Sequence, residues 1–351
     1  MPISEMAKKP YRVEVSYPSK GKPKYFLVKD VKVRGKKRKV TKYLGSGNPP
    51  SPEELKKFRE TYAYDIEAKA ARKKAELSAP LFQSDYLTTS ELTKLEELRF
   101  IFQRFNELLT VNEAEAYEKN FEVSYISGTT SIEGNTLTLD QTKGLLFSGL
   151  APKDKTLREI NEIQNFRKVI IYRKKYRGKI TLDFIRHLHA LIMDNIDTES
   201  AGTFRRTDDV VIGNCPIDLA PAIMIEEELT KAINDYYAFL GSEMHPFEAA
   251  VLFHYSFEVV HPFADGNGRV GREIFNCMLT RERFPRLLFL GKDRELYIDA
   301  LQLGNKGEYG RMVSTLASLI LSQRSDILSN NLKRVVVPPQ KKGQLRLTDF
   351  D

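Results

Sequence analysis

A mainly α-helical fold, fronted by a small basic antiparallel β unit and carrying one β-hairpin, is what this 351-residue sequence predicts. Three observations predict it. From residue 90 onward apolar side chains recur at helical spacing, first in Leu92, Leu95, Leu98, Ile101, Phe102, Phe105, Leu108 and Leu109. Residues 11–44 instead alternate, through Tyr11, Val13, Val15 and Tyr17, then Tyr25 to Val28, Val31 and Val33, and Val40 to Leu44. Late in the chain, Val210 to Ile212 and a Gly213-Asn214 turn, with Pro216 and Pro221 beside them, interrupt the helical pattern as a short hairpin.

Composition narrows the class. A hydrophobic content of 41 % is that of a globular protein. No run of about eighteen apolar residues occurs, so no membrane span is expected. The N-terminus lacks an apolar signal region. Cys215 and Cys277 have no metal-ligand spacing to other Cys or His, which argues against a disulfide framework or a zinc site and for a reducing, cytoplasmic setting. The net charge of +8 is concentrated at one end: residues 1–42 hold 14 Lys or Arg against 3 Asp or Glu.

Taken in order, residues 1–50 form the basic β unit, with Lys-Gly-Lys-Pro and Arg34-Gly35-Lys36 as its turns and three or four strands. A unit this small needs the following helix or a partner to pack against. Two readings stand side by side. Lys22, Lys24, Arg34, Lys36, Lys37, Arg38 and Lys39, interleaved with tyrosines, suit DNA or RNA. Equally, lysines protect the edges of a soluble sheet. Residues 51–89 read as a helical linker: Ser51 and Glu54 make a capping box opening a charged helix to about Leu77, polar on every side. The helical domain then spans residues 90–332. Its first helix covers 90–119. A helix end follows at Gly134, Asp140 caps a short helix, Lys155-Thr156 opens one to about Tyr176, and Thr181 caps another through Met193. His187 and His189 lie on different helix faces and read as structural, as do His245 and His254. Glu226 to Leu240 is a helix, 309–330 closes the domain, and 333–351 is a flexible basic tail.

The chemistry concentrates in residues 261–272, His-Pro-Phe-Ala-Asp-Gly-Asn-Gly-Arg-Val-Gly-Arg. The helix before them carries Phe253, Phe257 and Val260 on one stripe and stops at His261, because a residue before proline leaves the helical region. Gly266 and Gly268 tolerate positive φ, so backbone N–H groups can converge ahead of a helix starting near Arg269. Free N–H groups and the helix dipole then face an anion. Arg269 and Arg272, three apart, fork onto phosphate oxygens. Asp265 becomes useful if Mg²⁺ bridges it to phosphate, and His261 is a base beside the phosphorus. The inferred reaction is phosphoryl or nucleotidyl transfer to a hydroxyl.

At these residues the sequence resembles the Fic family, whose signature His-Pro-Phe-x-(Asp/Glu)-Gly-Asn-(Gly/Lys)-Arg-x-x-Arg it matches at every fixed position. The resemblance covers about residues 90–330. It implies a Fic-type helical domain that transfers AMP from ATP to a Ser, Thr or Tyr hydroxyl of a protein substrate. It implies that His261 deprotonates the hydroxyl, Asp265 holds Mg²⁺, and Gly266, Asn267, Gly268, Arg269 and Arg272 hold the phosphates. Thr129-Thr-Ser-Ile-Glu133-Gly134 resembles the family's inhibitory motif, whose glutamate would pair with Arg272 where the γ-phosphate must sit. Tyr297 and Asn305 resemble the pair that flanks the base. Residues 201–222 resemble the flap over the site, with Gly213 and Asn214 on the nucleotide side; the adjacent double proline common there is absent. Homodimers are a further expectation from the family. The tail's Gln344-Leu-Arg-Leu347-Thr-Asp-Phe350 resembles peptides that bind DNA sliding clamps. Alternatives keep the pocket and change the reaction to AMP removal or another nucleotidyl or phosphodiester transfer. A further alternative makes the protein a nucleotide-switched, DNA- or clamp-associated regulator.

Overall fold

The β unit is a three-stranded antiparallel sheet in the order β1 (Arg12–Ser16), β2 (Lys24–Val33), β3 (Lys36–Ser46). Arg34 (φ 41°) and Gly35 (φ 85°) join β2 to β3 in a two-residue turn, the connection whose twist matches that of paired strands. Strand alternation sends Val31 and Val40 to one face, where they meet Ala70 and Leu77 of α1 (Pro52–Ser78). A computed structural model describes residues 11–209 and 219–336. The Val210–Asn214 hairpin turn and the 344–350 motif therefore lie outside the described residues.

Helix α1 opens on the Ser51–Glu54 capping box, but it is not polar on every side. It buries Ala63, Ile66, Ala70, Ala71 and Ala75 against the sheet and α2 (Thr89–Leu108). Alanines raise apolarity little, so the charged stripe hid the buried one, yet they allow close helix approach. Glu67 lies in that stripe, 1 % exposed. It accepts from Arg104 Nε (2.9 Å) and Nη2 (3.1 Å) on α2, from Lys29 on β2 and from the Tyr11 hydroxyl (2.9 Å). One carboxylate thus ties the sheet to the helical body. Glu67→Ala is expected to cost about 3 kcal/mol, since it strands two largely buried cations. An unchanged thermal midpoint would contradict that.

The helix expected over 90–119 is two. It breaks at Leu109, and Thr110, with Glu113 in a second capping box, starts α3 (Val111–Ile132). Apolar periodicity running through the break concealed it. Thr138, not Asp140, caps α4 (Leu139–Ser148), because its hydroxyl accepts from Gln141 N; Asp140 sits in the first turn. Then follow α5 (Leu157–Lys175), α6 (Leu182–Met193), α7 (Ile225–Gly241), α8 (Pro246–Val260), α9 (Asn267–Arg281), α10 (Arg294–Asn305) and α11 (Tyr309–Val336). Helix α9 is the central element: every residue from Arg269 to Leu279 is buried, with α8, α6 and α3 around it. Its N-terminus, carrying the signature loop, is consequently held from all sides. Among the described residues no helix is long and apolar enough to cross a membrane.

Candidate active site

Helix α8 ends as the sequence requires, with His261 leaving the right-handed region ahead of Pro262. It adopts φ 46°, ψ 62°, while its N–H still reaches Phe257 O (3.0 Å). A left-handed non-glycine residue costs about 1–2 kcal/mol, so something must hold it. Arg205 does. Buried before α7, it donates from Nε to His261 O (2.9 Å), from Nη2 to Val260 O (3.4 Å) and Ala220 O, and from Nη1 to Thr207 O (2.9 Å). Its own N–H donates to Pro262 O (2.9 Å). The imidazole Nδ1 lies 3.3 Å from Glu258 O. That carbonyl can only accept, so the proton sits on Nδ1 and Nε2 keeps its lone pair. Burial lowers the His261 pKa from its ordinary value, which leaves the ring neutral near pH 7.

The loop is closed by Asn267, whose Oδ1 accepts from Phe263 N (2.8 Å) and whose Nδ2 donates to Phe263 O (2.7 Å). Its side chain is therefore committed to the loop, and what it can offer an anion is its backbone N–H. Opposite, His189 is the brace. Its Nδ1 accepts from Gly202 N (2.9 Å), so Nε2 carries the proton and donates to Asp265 O (3.0 Å). Its ring lies flat on Phe263 at 3.7 Å. Burial drives its pKa down to about 4, so the brace stays neutral. Gly266 starts α9 at φ 81°, and a Cβ there would press on Met193 and His189. Within the first turn the N–H groups of Asn267, Gly268 and Arg269 precede any intrahelical acceptor. They leave the N-terminus of a buried helix with free donors and the positive end of its dipole.

Charged side chains gather on two sides of that end. On one, Asp265 accepts from Arg158 Nη2 (2.6 Å), Arg269 Nη2 (3.1 Å) and Gly266 N (2.6 Å), while Arg269 Nη1 donates to Glu162 (3.2 Å). Burial works to raise the Asp265 pKa, but Arg269, the Gly266 amide and Arg158 together hold it below its ordinary value. On the other side, Arg272 is buried and pinned to α3, donating from Nε to Thr129 Oγ1 (2.9 Å) and from Nη2 to Thr129 O (3.0 Å). Nη2 also donates to Glu133 Oε1 at 2.6 Å. Burial raises the Glu133 pKa, and Arg272 more than cancels it, so Glu133 is an anion. Gly268 makes room for this pair: a Cβ would stand 2.7 Å from Glu133 Oε1 and 2.8 Å from Arg272 Nη1.

Beneath Arg272 lies a second carboxyl, Glu258. It packs on Gly271, where a Cβ would fall 2.3 Å from its Oε1, and that oxygen has no hydrogen-bond donor among the described residues. Burial raises its pKa to about 7. Next to it, His254 Nε2 meets the Tyr297 hydroxyl (2.9 Å). Tyr297 is 2 % exposed and packs edge-on to Phe289, so its ring has no open face here. Asn305 lies at the far end of α10, accepting from the Tyr255 hydroxyl (3.2 Å). The structure thus joins His261, Asp265, Gly266, Asn267, Gly268, Arg269, Arg272 and Glu133 in one cluster, and leaves Asn305 outside it. Gly213 and Asn214 are not among the described residues.

The cluster thus combines a base with a free ring nitrogen, a helix end with free amides and two buried arginines. Residues 179–279 match the Fic/DOC family profile. Protein adenylyltransferase Fic of Drosophila ananassae is 31% identical over 203 residues, which are 57% of this chain and 40% of that protein. Protein adenylyltransferase fic-1 of Caenorhabditis briggsae is 32% identical over 200 residues, 55% and 38% of the two chains. This chain spans about two fifths of the length of these relatives. In fold it resembles a Fic domain containing signaling protein from Bacteroides thetaiotaomicron (TM-score 0.62, 21% identity, covering 68% of this chain and 98% of that one). It also resembles Fic-1 from C. elegans (TM-score 0.57, 24% identity, covering 80% and 88%). What these comparisons share is a Fic domain, matched over residues 179–279.

Proposed function

We propose that the protein transfers AMP from ATP to a Ser, Thr or Tyr hydroxyl of another protein, and that Glu133 restrains the transfer. The observation that carries the reading is the juxtaposition of a neutral His261, oriented through its Nδ1, with a phosphate cradle whose Arg272 is already claimed by Glu133. His261 Nε2 takes the proton of the incoming hydroxyl. The hydroxyl oxygen forms a bond to the α-phosphorus, and the bond to the bridging oxygen of pyrophosphate breaks. The α9 amides and Arg269 stabilise the charge that develops on the phosphate oxygens. The adenylyltransferase names of the relatives support the same donor and product.

Asp265 fits a magnesium ion brought in by the nucleotide. It is a single carboxylate, 45% exposed, and among the described residues no group of three His, Cys, Asp or Glu could cage a metal. Mg²⁺ takes one or two carboxylates and fills its shell with phosphate and water. Bound there, it would supply charge neutralisation on the phosphates. Arg158, more than half exposed, donates to Asp265 Oδ2 here and to Glu162 through Nε, so a magnesium ion would compete with it for that oxygen.

The test uses ATP labelled on either its α- or its γ-phosphate, offered with Mg²⁺ and cell proteins to the Glu133→Gly variant. Label should reach protein from the α position only, and Glu133→Gly/His261→Ala should transfer none. Transfer from γ would mean a phosphotransferase, and release of AMP from modified protein would mean the reverse activity. A pH profile adds an independent check. Because His261 titrates below its ordinary value, the acid limb of kcat/KM should be centred below about pH 6.5. An acid limb centred above about 6.5 would exclude His261 as the base.

A further inference from the structure

The β unit has a face that neither the helices nor the reaction uses. Strand pairing places Phe26 opposite Tyr43, Asp30 opposite Lys39 and Lys32 opposite Lys37, all on one side, with Arg12 and Glu14 beside them on β1. The other side, with Val31 and Val40, is covered by α1.

The charges on the open side are lopsided. Between residues 11 and 46 only Glu14 and Asp30 are acidic. Both are already neutralised, Asp30 by Arg12 (Nη2–Oδ1 2.9 Å) and Glu14 by Lys39 (2.9 Å) and Arg12. Lys24, Lys32 and Lys37 have no carboxylate within ion-pair distance among the described residues, and all three are exposed. Arg12, Lys32, Lys37 and Lys39 border a groove of about 540 Å³. Two turns of strand away on the same face, Tyr43 is 49% exposed and its ring is 5.5 Å from that of Phe26. A purely solubilising face explains the lysines. It does not explain aromatic rings set among them facing water.

We propose that this face binds a single strand of nucleic acid, its phosphates in the Lys32–Lys37–Lys39 groove and a base against Tyr43 and Phe26. From Phe26 to Lys32 is about 20 Å at the rise of a strand, room for several nucleotides. A polyanion that also carries planar rings matches both halves of the surface, whereas an acidic protein segment matches only the charged half. The proposal is independent of the adenylyl-transfer reading, because it uses none of the residues around α9.

The test is fluorescence anisotropy of labelled oligothymidylate with the full chain. With three phosphate contacts, affinity should fall roughly twentyfold between about 50 and 200 mM salt. Lys32→Glu/Lys37→Glu should weaken binding at least about tenfold. Tyr43→Ala should weaken it about tenfold for the single strand and leave a duplex control unchanged. These side chains are exposed, so the variants fold, and circular dichroism would verify that. Absence of binding at low salt, salt-independent binding, or wild-type affinity in the lysine double variant would overturn the proposal. So would polyglutamate of equal charge competing as well as the oligonucleotide, which would assign the face to an acidic protein.

Discussion

Glu133→Gly is expected to raise AMP transfer roughly ten- to a hundredfold over the wild type. The contact it removes is a 2.6 Å charge-assisted hydrogen bond from Arg272 Nη2, beside the first turn of α9. Such bonds contribute about 1.5–3 kcal/mol, and each 1.4 kcal/mol is a factor of ten. Glu133 is about one third exposed, so solvent screening favours the lower half of that range. The variant should not collapse the pocket. Thr129 still holds Arg272 through Nε and Nη2, and Gly134, already at φ 99°, keeps the α3 terminus in place. Arg272 is then left with a γ-phosphate as its best acceptor. Initial rates with α-labelled ATP measure the gain. Equal rates in the two proteins would mean that Glu133 is only an ion-pair partner of the fold. Gly268→Ala offers a cross-check from the other side of the contact, because its methyl group would strike Glu133 and Arg272.

What could be read in advance follows from how far each interaction reaches along the chain. The His261–Arg272 loop is local: proline, glycines, base and arginines stand within one turn and one helix start, so spacing alone specified the cradle. Glu133 was different: read plainly it is an exposed acid at a helix end, and only its resemblance to the family's inhibitory motif pointed to Arg272, 139 positions away. The residues that hold the cradle in shape were not legible. Arg205 reaches His261 from 56 positions away and His189 reaches Asp265 from 76 away. Periodicity could say only that such residues lie near a helix or a turn. Glu162, Arg158 and Glu258 carry no distinctive spacing in the sequence, yet each contacts the site. The early part of the chain erred for a different reason. Hydrophobic pattern cannot reveal an alanine face such as that of α1. Nor can it find a break at Leu109 when apolar residues continue in phase; the Thr110-x-x-Glu113 cap was the available signal.

Replacing His261 by Ala in the Glu133→Gly background should lower transfer by about a hundred- to ten-thousandfold, the range of losing a positioned general base. The loss should lie in kcat. Nothing that His261 does contributes to the amide cradle, since Asn267, His189 and Arg205 shape the loop through backbone atoms that alanine retains. Nucleotide affinity should therefore remain within a factor of about two, and a titration with ATP would measure it. The left-handed backbone at this position calls for a control: alanine adopts φ 46° less readily than histidine, so the variant leans harder on Arg205 to hold the turn, and its thermal midpoint is measured beside its rate. His261→Asn, whose residue type accepts that conformation more readily, should retain the fold and still lack the base. If both variants bind ATP normally and transfer within tenfold of the parent, the proton leaves by another route. Glu258, buried beneath Arg272 with a pKa near 7, is then the next group to remove.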